Sequence, residues 1–134
     1  MKTARILIIE DEAITVAALR RELAEMGHEV VGDAASAREA VRAAEATKPD
    51  LVLMDITLAD EYDGIVAATA IRGNLGLPVV FLTAHGDDAT MERAILAGPF
   101  GYLLKPFTTQ ELKAAIEVAL HKHGSVVESR GGQG

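Results

Sequence analysis

Five side chains in this sequence have types and places that suit metal and phosphate chemistry: Glu10, Asp11, Asp55, Thr83 and Lys105. Glu10 and Asp11 follow an aliphatic run in "ILIIEDE" with no spacer, and Glu12 makes a third consecutive carboxylate. Asp55 closes "DLVLMD", Thr83 closes "PVVFLT" and Lys105 follows "GYLL". Like charges crowded at the end of a buried strand repel one another, so a cation is expected beside them. A hard divalent ion takes carboxylate and water oxygens, and an amine with a hydroxyl suits phosphoryl oxygens. Taken singly, a strand-terminal Asp or Thr is an ordinary turn or cap residue, and a lone Lys an ordinary solvated one. All five converging on one edge would be a much rarer coincidence.

The elements needed for that convergence are legible. Short aliphatic runs occur at "RILII" (5–9), "EVVGDA" (29–34), "DLVLM" (50–54), "PVVFLT" (78–83) and "GYLL" (101–104). Helical spacing lies between and after them: Val16, Leu19, Leu23 and Met26; Ala37, Ala40, Val41 and Ala44; a weaker third pattern over 65–72; Met91, Ala94 and Ile95; and Leu112, Ile116 and Leu120. Ser36 with Glu39, and Thr108 with Glu111, fit capping boxes, and Gly27, Gly73 and Gly98 fall where helices should stop. Five strands alternating with five helices predict a parallel sheet covered on both faces. In such a sheet, function gathers at the carboxyl ends of the strands. The first, third, fourth and fifth strands deliver the five residues there; the second offers nothing comparable.

Composition narrows the function classes. The chain has 134 residues, 49% of them apolar, which predicts one domain with a real core. It has no cysteine, so disulfides and thiolate metal sites are excluded, and its four histidines are too scattered for a zinc site. The apolar segment of "MKTARILIIEDE" is too short for a signal peptide, and no run approaches a membrane span. A cytoplasmic protein without a membrane partner is expected. A formal net charge of −7 argues against direct nucleic-acid binding. From Gly124 the tail "GSVVESRGGQG" loses periodicity, giving a domain over 1–123 and a flexible tail or linker over 124–134.

The motifs "ILIIEDE", "DLVLMDI", the "DG" at Asp63 and Gly64, "VVFLTA" and "GYLLKPF" together resemble the receiver domain of two-component response regulators, from Lys2 to about Lys122. The resemblance implies a flavodoxin-like α/β fold, (βα)5 and doubly wound, with a parallel sheet of strand order 2-1-3-4-5. It implies that a sensor histidine kinase or phosphotransfer protein delivers a phosphoryl group to Asp55 with Mg2+, switching a partner or output domain. Asp11 then looks like the direct Mg2+ ligand, with Asp55, the Thr57 backbone carbonyl and Glu10 (through water) completing the set. Lys105 and Thr83 would hold the phosphoryl oxygens, Thr83 and Tyr102 would act in the switch, and Thr57 and His85 would tune phosphoryl lifetime. Lys105–Pro106 matches a peptide bond that is cis in the family. A phosphorylation-driven change is expected from Thr83 through Tyr102. The chain would assist its own phosphorylation and dephosphorylation without being a turnover enzyme.

The sequence departs from the commonest pattern at several points. Glu10 stands where Asp is usual, "DITLADEYDG" is one residue longer before its "DG", Ala59 replaces a usual proline, and Pro99 replaces a small residue. Charged residues that pair the transcription-factor receivers through their last helices and fifth strand are not evident. Two other readings compete. Haloacid-dehalogenase-like phosphatases share the Asp, Mg2+, hydroxyl and Lys, but their second Asp would fall at Thr57 and their nucleophile follows the first strand. A receiver that is never phosphorylated, serving as an interaction module, is the third reading. There is no G-x-x-x-x-G-K-[ST] or G-x-G-x-x-G motif for a nucleotide, and few aromatics for a flavin site.

Overall fold

In the computed structural model, which describes residues 3–56, 64–84, 92 and 101–131, every predicted strand forms: β1 (Arg5–Ile9), β2 (Glu29–Ala34), β3 (Leu51–Asp55), β4 (Val79–Thr83) and β5 (Gly101–Leu104). All pairs are parallel, in the order β2-β1-β3-β4-β5. Among the described residues four helices accompany them: α1 (Ala13–Glu25), α2 (Ala37–Thr47), α3 (Gly64–Leu75) and α4 (Thr109–Gly131). The pattern at Met91, Ala94 and Ile95 lies outside the described residues, as do Gly98 and Pro99.

Alternation along the strands divides the core in two, because successive strand side chains point to opposite faces. Leu7, Ile9, Val52, Met54, Val79 and Phe81 meet α2 and α3 on one face. Ile6, Ile8, Leu51, Leu53, Val80 and Leu82 meet α1 and α4 on the other. Each of those twelve side chains is fully buried, which explains why the strands read as continuous apolar runs. Helix α2 buries only Ala37, Ala40 and Ala44, so its backbone lies close to the sheet.

Local signals account for most element ends. Ser36 caps α2 by accepting from the Glu39 amide, and both halves of the Thr108–Glu111 box form, at 2.9 and 3.0 Å. Helix α1 stops in a Schellman arrangement, with the Gly27 amide on Ala24 O, the His28 amide on Leu23 O, and Gly27 at φ +90°. One expectation differs. Gly73 lies inside α3, which continues to Leu75 because Leu75 packs against the first core cluster, and Gly76 (φ +67°) follows that end. Helix α4 also passes through Gly124 to Gly131. Each residue added to an existing helix gains a hydrogen bond, and one glycine costs only about 1 kcal/mol against that.

Candidate functional site

The register carries the chemistry to one edge. Asp55 pairs with Leu82, so Thr83 is the next residue out on the neighbouring strand, and Thr83 pairs with Leu104, the last residue before Lys105. The Lys105 amide donates to Thr83 O at 2.7 Å and the Glu10 amide to Ala34 O at 2.9 Å, extending the ladders into the site. The Lys105–Pro106 peptide bond is cis.

Carboxylate oxygens from Glu10, Asp11 and Asp55 lie within 4.8 Å of one another. Glu10 and Asp55 are buried, whereas Asp11 is exposed and gives the cluster its open side. Lys105 Nζ sits 2.9 Å from Glu10 Oε2 and 3.0 Å from Asp55 Oδ2, with its side chain 18% exposed. Glu12 precedes α1 at the N-cap without a side-chain capping bond; its carboxylate lies 3.8 Å from Lys105 Nζ, and its amide donates to Glu10 Oε1 at 3.3 Å.

The electrostatics show which partner is in excess. Burial pushes the Glu10 carboxyl up to about 7; the Lys105 hydrogen bond opposes this, and Asp55 adds to it. For Lys105, burial disfavours the ammonium, but bonds to Glu10 and Asp55 and their charges outweigh it and raise its pKa. One cation is therefore well satisfied between two anions, while the anions remain short of positive charge. The donor set is three carboxylates and no sulfur or imidazole, which fits a small hard cation such as Mg2+ and not a soft one.

Gly64 lets α3 approach this edge. A Cβ there would lie 2.9 Å from Asp55 O and 3.0 Å from Ile56 O, both backbone atoms. Thr83 is fully buried, and Tyr102 is half-buried against the core cluster on the α2–α3 face. Thr57, Asp63 and His85 lie outside the described residues. Sequence reading passed over Asp33 and Arg20. Asp33 sits near the end of β2, paired with Ile8, and forms an ion pair with Arg20 of α1. With Glu10 and Asp11 they line one cleft. Asp33 near a strand end was the available signal, but an Asp on a strand otherwise reads as solvent-facing.

A sheet of order 2-1-3-4-5, carrying an acidic pair, an aspartate and a lysine at its carboxyl edge, defines a doubly wound signalling domain of the phosphoacceptor type. The chain matches the response regulator receiver domain over residues 6–117 and belongs to that family, whose members receive signals in two-component systems. It is 42% identical over 127 residues to the transcriptional regulatory protein PdtaR of Mycobacterium tuberculosis, covering 95% of this chain and 62% of that protein. It is 37% identical to the transcriptional regulatory protein YvrH of Bacillus subtilis, covering 91% of this chain and 51% of that one. The chain thus spans less than two-thirds of either relative. Among solved structures, it is similar to the receiver domain of a modulated diguanylate cyclase from Desulfovibrio desulfuricans (TM-score 0.86, 37% identity, 92% of this chain and 98% of that chain). It is also similar to the response regulator PhyR from Brucella abortus (TM-score 0.85, 33% identity, 99% and 54%).

Proposed function

We propose that Asp55 is the phosphoacceptor of this receiver domain, and that Lys105 and Thr83 bind the phosphoryl oxygens. The observation that carries the reading is Lys105 Nζ lying within 3.0 Å of both Glu10 and Asp55, at the sheet edge where the Asp11 carboxylate also converges. In the transfer, an Asp55 carboxylate oxygen bonds to phosphorus as the bond to the donor's leaving group breaks, and the leaving group keeps the electron pair. Phosphoryl transfer asks mainly for positioning and charge neutralisation, and Lys105 supplies both from a half-shielded position.

Asp11 and Asp55 would hold Mg2+ directly, with Glu10 acting through water and the Thr57 carbonyl as a further ligand. Bound there, Mg2+ supplies positive charge to the acceptor and phosphoryl oxygens. Glu10, Asp11 and Asp55 give −3 against +1 from Lys105, and the ion's +2 restores neutrality. Phosphorylation adds negative charge at Asp55, roughly −1.5 to −2 in place of −1, which draws Lys105 from Glu10 towards the phosphoryl group. A charge-assisted hydrogen bond contributes about 1.5–3 kcal/mol, whereas inverting a population from 1:99 to 99:1 takes about 5.5 kcal/mol. Thr83 alone is insufficient; a complete switch takes Thr83, Lys105 and the metal acting together, and otherwise it is partial. Tyr102 is then the residue through which the β4–β5 edge reports the change, and Thr57 and His85 set phosphoryl lifetime.

The donor is a sensor histidine kinase or phosphotransfer protein, the setting is cytoplasmic, and the chain acts on a partner or output region without turning over an external substrate. No helix among the described residues is long and apolar enough to cross a membrane. Incubation with acetyl phosphate and Mg2+ should add one phosphoryl mass to the wild type and none to Asp55→Asn. Equal labelling of both proteins, or continuous hydrolysis of added phosphate esters, would overturn the assignment.

A further inference from the structure

A cleft of about 480 Å³ lies between α1 and the segment that joins β5 to α4. Ile14, Ala18 and Glu22 line one wall at four-residue spacing, so they share one face of α1. Ala84, Pro106 and Phe107 line the other. Lys105 also borders the cleft, and its ammonium lies 3.0 Å from Asp55. The same ammonium is 3.8 Å from Glu12, at the N-cap of α1, so the Lys105 end of the cleft is the Ile14 end. Glu22 stands about 12 Å further along the helix, at 1.5 Å per residue. Its Oε1 accepts from Thr109 Oγ1 at 3.1 Å.

The lining is therefore polarised. Lys105 makes one end suitable for an anion, the Glu22 carboxylate makes the other unsuitable, and the surface between them is apolar. Ile14 is 86% exposed, so the core does not account for its being apolar. A single exposed aliphatic residue is ordinary. Here Ile14 continues through Ala18, and half-buried Phe107 faces them across the cleft. A concave, largely apolar cleft of several hundred Å³ with a few placed polar groups is the form of a small-molecule site.

We propose that this cleft admits a second class of phosphodonor beside a protein: an acyl phosphate whose phosphoryl group meets Lys105 and whose hydrocarbon chain lies on Ile14, Ala18 and Phe107. This rests on Asp55 as the acceptor. In the transfer, an Asp55 carboxylate oxygen bonds to phosphorus as the bond from phosphorus to the acyl oxygen breaks. The donor's carboxylate departs with the electron pair, and no proton is transferred. Contact between the chain and the apolar walls favours donors longer than acetyl phosphate.

The test compares acetyl phosphate with butyryl phosphate at one Mg2+ concentration, by the second-order rate of phosphoryl uptake read by mass. The two donors carry the same charge and equivalent leaving groups, and butyryl phosphate adds two methylenes. Full burial of both methylenes would raise the rate about fifteenfold, and a cleft open to solvent should give about three- to tenfold. Ile14→Gln and Ala18→Gln keep a good helix former in α1 and should each bring that ratio to within about twofold of unity. Apart from uptake, butylphosphonate should shift the amide resonances of Ile14 and Phe107 more than methylphosphonate does at equal concentration. Equal uptake rates for the two acyl phosphates in the wild type would overturn the proposal in favour of a protein occupant. So would equal shifts from the two phosphonates, or a wild-type ratio retained in both variants, since the chain would then bind elsewhere. No uptake by the wild type from either donor would overturn the Asp55 assignment, and this inference with it.

Discussion

Lys105 and Asp55, fifty positions apart in the chain, meet at 3.0 Å because β3, β4 and β5 pair in a register that brings both strand ends to one edge. The same ammonium lies 2.9 Å from Glu10, at the end of β1. One side chain thus ties the ends of three strands through charge, at a point where the sheet otherwise offers an excess of carboxylate. This makes Lys105 a stand-in for part of the positive charge that a divalent ion would bring.

Replacing Lys105 with Met should therefore destabilise the protein most when no divalent ion is present. It leaves Glu10 and Asp55 buried together without their hydrogen-bonded cation, a loss of about 1–3 kcal/mol at pH 8. Saturating Mg2+ should recover part of it. Urea unfolding with and without Mg2+ measures both values, and identical losses under the two conditions would show that the ion and the lysine do not share a role.

The raised pKa of Glu10 gives a pH dependence of defined sign. An unfolded Glu ionises near its ordinary value of 4.5, whereas folded Glu10 keeps its proton to about 7. Between those values the native state binds more protons, so the contribution of Glu10 to stability falls as pH rises and levels off above 7. Metal binding needs the ionised form, so Mg2+ affinity should weaken as pH falls through about 7. Glu10→Gln should remove the stability slope. Thermal unfolding and Mg2+ titration from pH 5 to 8 check the two halves separately, and a flat Mg2+ affinity across that range would remove Glu10 from the metal's surroundings.

These dependences rest on a site whose outline is legible in sequence. Strand ends can be read from aliphatic runs, and an open parallel sheet places the residues just past those runs on one edge. That reasoning yields Glu10, Asp11, Asp55, Thr83 and Lys105 without coordinates. It does not yield the Arg20–Asp33 pair, because a charge on a helix or strand reads as solvent-facing until the packing of α1 against β2 is known. Helix ends are legible where a cap is chemical, as at Ser36 and Thr108. They are not where tertiary burial decides, as at Leu75, which draws α3 past Gly73.

Gly64 and Gly73, both in α3, should respond to alanine with opposite signs. At Gly64 the added methyl meets Asp55 O and Ile56 O at 2.9 and 3.0 Å, backbone atoms that cannot move without shifting the site. Overpacking of this kind costs about 1–3 kcal/mol, and Gly64→Ala should also slow phosphoryl uptake. At Gly73 nothing lies within 4 Å, so alanine should stabilise the helix by roughly 0.5–1 kcal/mol. Chemical denaturation of the two variants beside the wild type measures the contrast. Equal effects would mean that α3 does not press on the end of β3.

His28 predicts a second pH dependence, opposite in sign to that of Glu10. It is 5% exposed; its Nδ1 accepts from the Ala4 amide at 3.0 Å, which places the ring proton on Nε2. Burial lowers its pKa, with the Glu117 carboxylate of α4 partly opposing the shift. Protonation at Nδ1 would set a donor against the Ala4 N–H, so acid breaks the bond that ties the residue before β1 to the α1–β2 turn. The unfolded histidine gains its proton near 6.5 and the folded one only at lower pH. The stability it contributes is thus present above 6.5 and lost as pH falls towards the folded pKa. In the wild type this decline on acidification below 6.5 runs against the gain from Glu10 and flattens the profile there. Glu10→Gln should expose the His28 slope, and Glu117→Gln should steepen it by removing the charge that favours the imidazolium. NMR titration of the His28 ring gives the direct value, and a midpoint at or above 6.5 would rule this account out.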